Sequence, residues 1–326
     1  MLAAWYERNG AARDVLQVGE QPDPLPGKGE VRVRLRASGL NPSDVKARGG
    51  SRPAIPPRVI PGSDGAGTID RVGPGVSRRR IGQRVWVYNG QWQRPSGTSA
   101  QYIALPAPLA VPLPRKLSYR EGACLGIPVM TAHRCLFADG PIRGRNVLVT
   151  GGAGVVGHYA IQLARWAGAR VIATISSEQK ASHARKAGAH AVIDYRGETV
   201  GARLREETGG AGIDRVVDVE FGANLPEYVK ALRPDAVVAT YASMKVPAPA
   251  LPFYELMRLN FTLRMVFVYT MPAAAKARAL TDIARWISTG RPKFAIAARF
   301  PLRDIVAAHE LIESGNKTGH VILDIP

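Results

Sequence analysis

With 326 residues the chain is long for one domain and comfortable for two, and 46% hydrophobic content supplies a sizeable core without covalent staples. Two cysteines, Cys124 and Cys135, exclude a disulfide framework and a four-cysteine zinc site, and no apolar run reaches the length of a membrane span. The net charge of +18 raises nucleic acid as a partner, but the basic residues are scattered and their densest run, 78–80, lies in a Gly/Pro loop without interleaved aromatics; a solvated, arginine-rich surface that also attracts anionic ligands is the favoured reading.

In chain order, Glu7 and Arg8 interrupt the N-terminus before a leader-peptide core forms, so a reducing cytoplasmic setting is expected. Residues 1 to about 120 read as β-rich and loop-rich. Strand-like runs at 31–37, 67–72, 84–88 and 100–104 alternate with punctuation such as Pro22-Asp23-Pro24, Pro56-Pro57 and Pro61-Gly62. The proline-dense stretch 106–114 reads as an extended connection. Apolar helical patterns follow at 119–125 and 130–137.

The run 146–158 is the most informative in the chain. A short apolar strand enters the turn Gly152-x-Gly154-x-x-Gly157, and a helix over 155–167 follows, with Val156, Ala160, Ile161, Leu163 and Ala164 at helical spacing. Glycines there let the backbone turn sharply and approach a pyrophosphate, while free N–H groups at the helix N-terminus receive its charge. A tight strand-to-helix turn with no ligand is the alternative; the strand before and the helix after favour a dinucleotide site. Further β-branched runs at 170–175, 191–194, 214–219 and 236–241 are separated by helical patterns at 178–187, 200–208 and 223–232. Such alternation builds a doubly wound parallel sheet, so the fold class is α/β. Amphipathic helices at 273–289 and 302–314 and a closing strand at 320–325 complete the chain.

The second strand of this series ends in Ile175-Ser176-Ser177-Glu178-Gln179-Lys180. An NAD site ends this strand in an acid that accepts from the ribose 2′-hydroxyl; here small hydroxyls stand at the tip with a lysine close behind. Hydroxyl donors and an ammonium suit a 2′-phosphate, so NADPH is favoured over NADH. Ser176 or Ser177 capping the next helix, with Lys180 merely solvated, is compatible with the same residues.

Several stretches together carry a family resemblance: 37–44 (ASGLNPSD), 61–67 (PGSDGAG), 82–85 (GQRV), 126–132 (GIPVMTA), 151–157, 186–189 (KAGA) and 318–320 (TGH). On them the chain resembles zinc-independent medium-chain dehydrogenases/reductases of the quinone oxidoreductase (zeta-crystallin-like) group. The resemblance implies a GroES-like β-rich catalytic domain plus a Rossmann-type doubly wound parallel sheet domain. The divisions expected are 1–122 (catalytic), 123–265 (NADPH-binding) and 266–326 (a segment returning to the catalytic domain).

Zinc-dependent relatives carry Cys and His where this chain has Asn41 and Ser63, and a second Cys near Ile127. An amide, an alcohol and an alkyl group are not ordinary zinc ligands, and Asp64 alone does not hold a metal, so no metal is expected. Hydride must then go to an acceptor that is already electron-poor, a quinone or, alternatively, an enone or enoyl thioester. By the resemblance, Asn41 lines the nicotinamide end and donates to the acceptor carbonyl. Lys46 and Arg52 stand where relatives often have tyrosines; a cation there would stabilise a developing hydroquinone anion, unless both are solvent-facing loop residues. Trp86, Tyr88, Asn89 and Trp92 shape the acceptor side or belong to the core.

The resemblance also implies the cofactor contacts. Ala153, Gly154, Val155, Val156 and Gly157 would hold the pyrophosphate and Thr131 would reach the nicotinamide. Ser176, Ser177, Lys180 and Tyr195 would surround the 2′-phosphate. Asn224 and Ser243 would line the groove, Val268 and Tyr269 its nicotinamide end, and Lys317 would return to the cofactor. The apolar segment 263–269 is expected at a sheet edge, paired with its copy in a homodimer, unless Met265 and Phe267 pack beneath the helix at 273–289. From a different class, an RNA-binding role is also associated with zeta-crystallin-like proteins.

Overall fold

The alternation Val31, Val33, Leu35, Ala37 places one face of a long strand, Glu30–Leu40, entirely in the core. In the computed structural model, which describes residues 1–326, this strand organises the first of two compact units, Met1–Ile127 with Phe294–Pro326. One edge pairs antiparallel with Asp64–Val72. The other edge is shared: Glu30 to Arg34 pair with Tyr102–Pro106, and Ala37 to Leu40 pair with the C-terminal strand His320–Asp324. Ile296–Pro301, Arg84–Val87 and Ala110–Pro112 complete the sheet. Within the proline-dense stretch expected to be an extended connection, Ala110–Pro112 is a paired strand, with Pro112 on the sheet edge where its missing N–H costs nothing.

The second unit, Pro128–Lys293, is a six-stranded parallel sheet. Its spatial order is Ala191–Asp194, Arg170–Ile175, Asn146–Val149, Ile213–Asp218, Leu232–Thr240, Thr262–Met265. The order reverses between Asn146–Val149 and Ile213–Asp218, the switch point at which such sheets bind ligands beyond their C-terminal strand ends. The strand runs read from sequence lie within a few residues of these bounds, because fully buried parallel strands are continuous β-branched runs.

The expected division at 265/266 is corrected to 293/294. The helix Ala273–Thr289 buries Ala279, Ile283, Trp286 and Ile287, and the second unit supplies the covering surface. Trp286 meets the Tyr159 ring edge-on, the Trp166 indole donates to Thr289 at 2.9 Å, and His133 bonds Asp282 at 2.9 Å. At the other boundary the first unit extends to Ile127 rather than 122, since the Ile127 N–H is bound by Asp64. The strand-forming segment 263–269 is divided too: pairing ends at Met265 and a 3-10 turn, Val268–Thr270, follows. Met265 is 76% and Phe267 53% exposed, so neither is packed away beneath the helix. No helix is long and apolar enough to cross a membrane.

Candidate active site

In the second unit the strand Asn146–Val149 runs through Thr150 into the glycine turn. Gly152 packs the turn against the neighbouring strand, where a Cβ would lie 2.7 Å from that of Ala173. At Gly157 a Cβ would collide with the Gly151 carbonyl oxygen, so only glycine lets the helix start this close to the strand. The helix Val155–Trp166 has no side-chain cap at Gly154, and its first bond runs from the His158 N–H to the Gly154 oxygen at 2.8 Å. The N–H groups of Val155, Val156 and Gly157 therefore have no helical acceptor, and Gly154 to Val156 reach the surface. Unpaired N–H groups at a helix start can receive an anionic group such as a diphosphate; Ala153, just before them, is buried.

At the adjacent strand end, Lys180 donates from Nζ to Ser176 Oγ at 3.0 Å, and Ser177 accepts the Lys180 N–H as the cap of the helix Glu178–Ala187. Ser177 is thus the helix cap, and Lys180 bonds Ser176 rather than being merely solvated. Tyr195 follows the neighbouring strand, its N–H bonded to Ile175 and its side chain exposed. The carboxylate next along the chain, Glu178, is bonded to Arg185 at 2.7 Å, while Asp194, in register with Ile175 on the neighbouring strand, accepts the Arg196 N–H at 3.1 Å. The structure brings Ser176, Lys180 and Tyr195 to one strand-end corner; the strand Arg170–Ile175 itself ends without an acid, and Asp194 ends the strand beside it.

The other residues expected at the cofactor are less uniform. Asn224 donates to Asp218 at 2.7 Å, and the Ser243 hydroxyl is engaged by Gly222 N–H and the Val246 oxygen, so both are tied to the fold. Thr131 is buried in the helix Ile127–Phe137, and Val268 and Tyr269 are buried in their turn, where Lys276 holds the Tyr269 oxygen at 3.2 Å. Sequence reasoning missed Asp218. Fully buried, it accepts from Thr150 at 2.7 Å, Asn224, and the Tyr228 hydroxyl at 2.8 Å, bracing the turn from below. A lone acid closing the apolar run Val216-Val217 was the available signal.

In the first unit, Asn41 precedes the short helix Pro42–Lys46, and its N–H is held by Asp44 at 2.8 Å. Its amide Nδ2 donates to Asp64 at 2.8 Å, and Asp64 also receives the Ile127 N–H at 2.9 Å. Gly126 is required beside it, since a Cβ there would collide with the carboxylate. Ser63 donates to Asp44 at 3.3 Å. Burial pushes the Asp44 carboxyl up to about 6 and raises Asp64 well above the usual range. Lys46 is exposed at the helix end; Lys317 is buried enough to lower its ammonium pKa, and it donates to the Gly319 oxygen at 2.9 Å. Trp86 and Tyr88 are buried, which decides for the core over the acceptor side; Asn89 is buried with them and Trp92 is half-buried. The donor set around Asn41 does not fit a zinc ion, because an amide, a hydroxyl and two carboxyls bond one another, and no three His, Cys, Asp or Glu side chains converge to hold one.

Two family models match the chain: "Alcohol dehydrogenase GroES-like domain" over residues 27–115 and "Zinc-binding dehydrogenase" over residues 155–285. A quinone oxidoreductase of Mus musculus is 31% identical over 92% of this chain and 90% of its own length. A 2-haloacrylate reductase of Burkholderia sp is 30% identical over 91% of both. Among solved structures, a mycobacterial quinone oxidoreductase superposes with a TM-score of 0.88 at 30% identity over 99% of both chains. The Escherichia coli quinone oxidoreductase complexed with NADPH gives 0.86 at 26% identity, over 99% of this chain and 100% of that one. The chain belongs to the zinc-independent medium-chain dehydrogenases/reductases, oxidoreductases of the quinone oxidoreductase group.

Proposed function

We propose that the protein is an NADPH-dependent reductase that transfers a hydride, without a metal, to a quinone or a related electron-poor conjugated carbonyl. The observation that carries this reading is Asn41, its side-chain amide held by Asp64 and its backbone N–H by Asp44, a polar clasp in place of a metal-ligand set. When bound, NADPH supplies the hydride and leaves as NADP⁺. The free N–H groups at Val155 to Gly157 would receive its diphosphate, and Ser176, Lys180 and Tyr195 its 2′-phosphate. One N–H of Asn41 is spent on Asp64; the other would donate to the acceptor oxygen, where electron density accumulates as the hydride adds. Water supplies the proton that completes the hydroquinone or the saturated ketone.

The exposed strand Thr262–Met265 would pair with its copy about a twofold axis to form a homodimer. The absence of a disulfide fits a reducing, cytoplasmic setting.

The test is NADPH oxidation with a neutral benzoquinone in excess chelator, with zinc measured by elemental analysis. Turnover without stoichiometric zinc is expected; dependence on zinc would overturn the reading. Lys180→Ala should weaken NADPH binding by about 1.5–3 kcal/mol, the worth of a charged hydrogen bond, and hardly change NADH binding. Equal losses for both cofactors, by fluorescence titration, would contradict the 2′-phosphate assignment.

A further inference from the structure

Arg52 lies in the same unit as the Asn41 clasp and is held from several sides. The Asn9 amide donates to the carbonyl oxygens of Ala47 at 2.8 Å, Arg48 at 3.2 Å and Arg52 at 3.1 Å, and its Oδ1 accepts the Ala54 N–H at 3.2 Å. The fully buried Arg48 adds bonds to the Gly10 oxygen and to Glu313. One asparagine and one arginine thus fix the π-helical turn Ala47–Ser51 and the residues after it. Beyond the turn, the Arg52 guanidinium sits 5.2 Å from the centroid of the Trp92 ring. Trp92 belongs to a loop anchored at the clasp, since the Gly90 N–H bonds the Ser63 oxygen at 2.8 Å. The field of Arg52 reaches Asp44 and the Tyr6 phenol, lowering the pKa of both against the effect of burial. Asp44 already accepts from the Asn41 N–H and the Ser63 hydroxyl. A second cation, Lys46, ends the helix that begins after Asn41.

A neutral, lipophilic quinone gains little from a guanidinium preoriented on an indole face, whereas a planar anion gains a charge-assisted, bidentate partner. We infer that the acceptor carries a carboxylate, which Arg52 binds beside the Trp92 ring with Lys46 contributing charge, so that the substrate class is the conjugated oxo-acid. This rests on the hydride-transfer reading above and narrows it. The hydride forms the new C–H bond at the β-carbon, the π pair moves to the keto oxygen, and the resulting enolate takes a proton from water; the carboxylate is a handle and does not react. Asn9 and Arg48 are positioning residues in this scheme.

The experiment uses the full chain with NADPH and two acceptors that differ in charge, trans-4-oxo-2-pentenoate and its methyl ester, with a neutral benzoquinone alongside. The ester is the more electron-poor of the pair, so intrinsic reactivity opposes the inference. The wild-type kcat/KM should favour the acid by roughly ten- to hundredfold, through KM, and the preference should shrink with added salt. In Arg52→Gln the acid-to-ester ratio should fall towards one, and Arg52→Lys should restore part of it. An acid-to-ester ratio near one in the wild type, or losses of equal size for both acceptors in Arg52→Gln, would overturn the inference. Turnover of the benzoquinone with neither oxo compound reduced would overturn it too and leave the hydride-transfer reading standing. Failure with all three would remove both.

Discussion

The most unusual residue is Asp44, a fully buried carboxyl whose pKa is raised to about 6 from 3.8 by burial, against the opposing pull of Asn41, Arg52 and Ser63. Between those two values the folded chain holds a proton that the unfolded chain has released. Stability contributed by this group is therefore present below about pH 4, declines as pH rises towards 6, and stays at the lower level above it. Two pH units correspond to about 3 kcal/mol. Asp44→Asn keeps an oxygen for the Asn41 N–H and removes the titration. The variant should gain stability over the wild type by about that amount between pH 4 and 7, read as the difference of two urea-unfolding series. Parallel series would show that Asp44 does not titrate in this window.

Among the elements, the glycine turn and the sheet edge make the sharpest demands. Gly157→Ala must open the turn, because the new Cβ meets backbone rather than a yielding side chain. A loss of about 1–3 kcal/mol in stability and of NADPH binding is expected, measured by thermal unfolding and fluorescence titration. At the sheet edge, proline at Val266 is a poor probe of assembly, since the Val266 N–H bonds the Thr240 oxygen at 2.7 Å within the chain. Met265→Lys is cleaner: the side chain is 76% exposed, so the monomer should fold as before while a paired edge is disrupted. Light scattering should find a dimer for the wild type and a monomer for the variant; a wild-type monomer would end the dimer proposal.

Across the whole molecule, each unit keeps a histidine neutral by burying it. His309 in the first unit has a pKa lowered to about 3 and His158 in the second to about 4, in both cases chiefly through desolvation. The unfolded chain takes up these protons near pH 6.5 and the folded chain does not. Their contribution is complete above pH 6.5 and is lost as pH falls towards 4 and 3, opposite in sign to that of Asp44. His309 is fully buried beside the charge of Arg48, with both ring nitrogens unpartnered. His309→Leu therefore forfeits no hydrogen bond. At pH 5 it should exceed the wild type in stability by about 2 kcal/mol more than it does at pH 8, as thermal unfolding at the two values would show.

The sequence by itself determined the parts that depend on short-range chemistry. Buried strands appear as β-branched runs, helices as 3.6-residue periodicity, and the dinucleotide turn as glycines at fixed spacing; each is encoded within about fifteen residues. The acid-free tip at Ser176 and the amide at Asn41 are visible for the same reason, since a single side chain's chemistry suffices to distinguish them. What only the tertiary structure decided are contacts between residues distant in the chain. Asn9 reaches Arg52 and Arg48 reaches Glu313; Asp218 gathers Thr150, Asn224 and Tyr228; Trp86 and Tyr88 turn inward. The boundary at Phe294 likewise depends on which surface covers the apolar face of Ala273–Thr289. A hydrogen bond or a covered face is a property of two segments at once, and local propensity carries no information about the second.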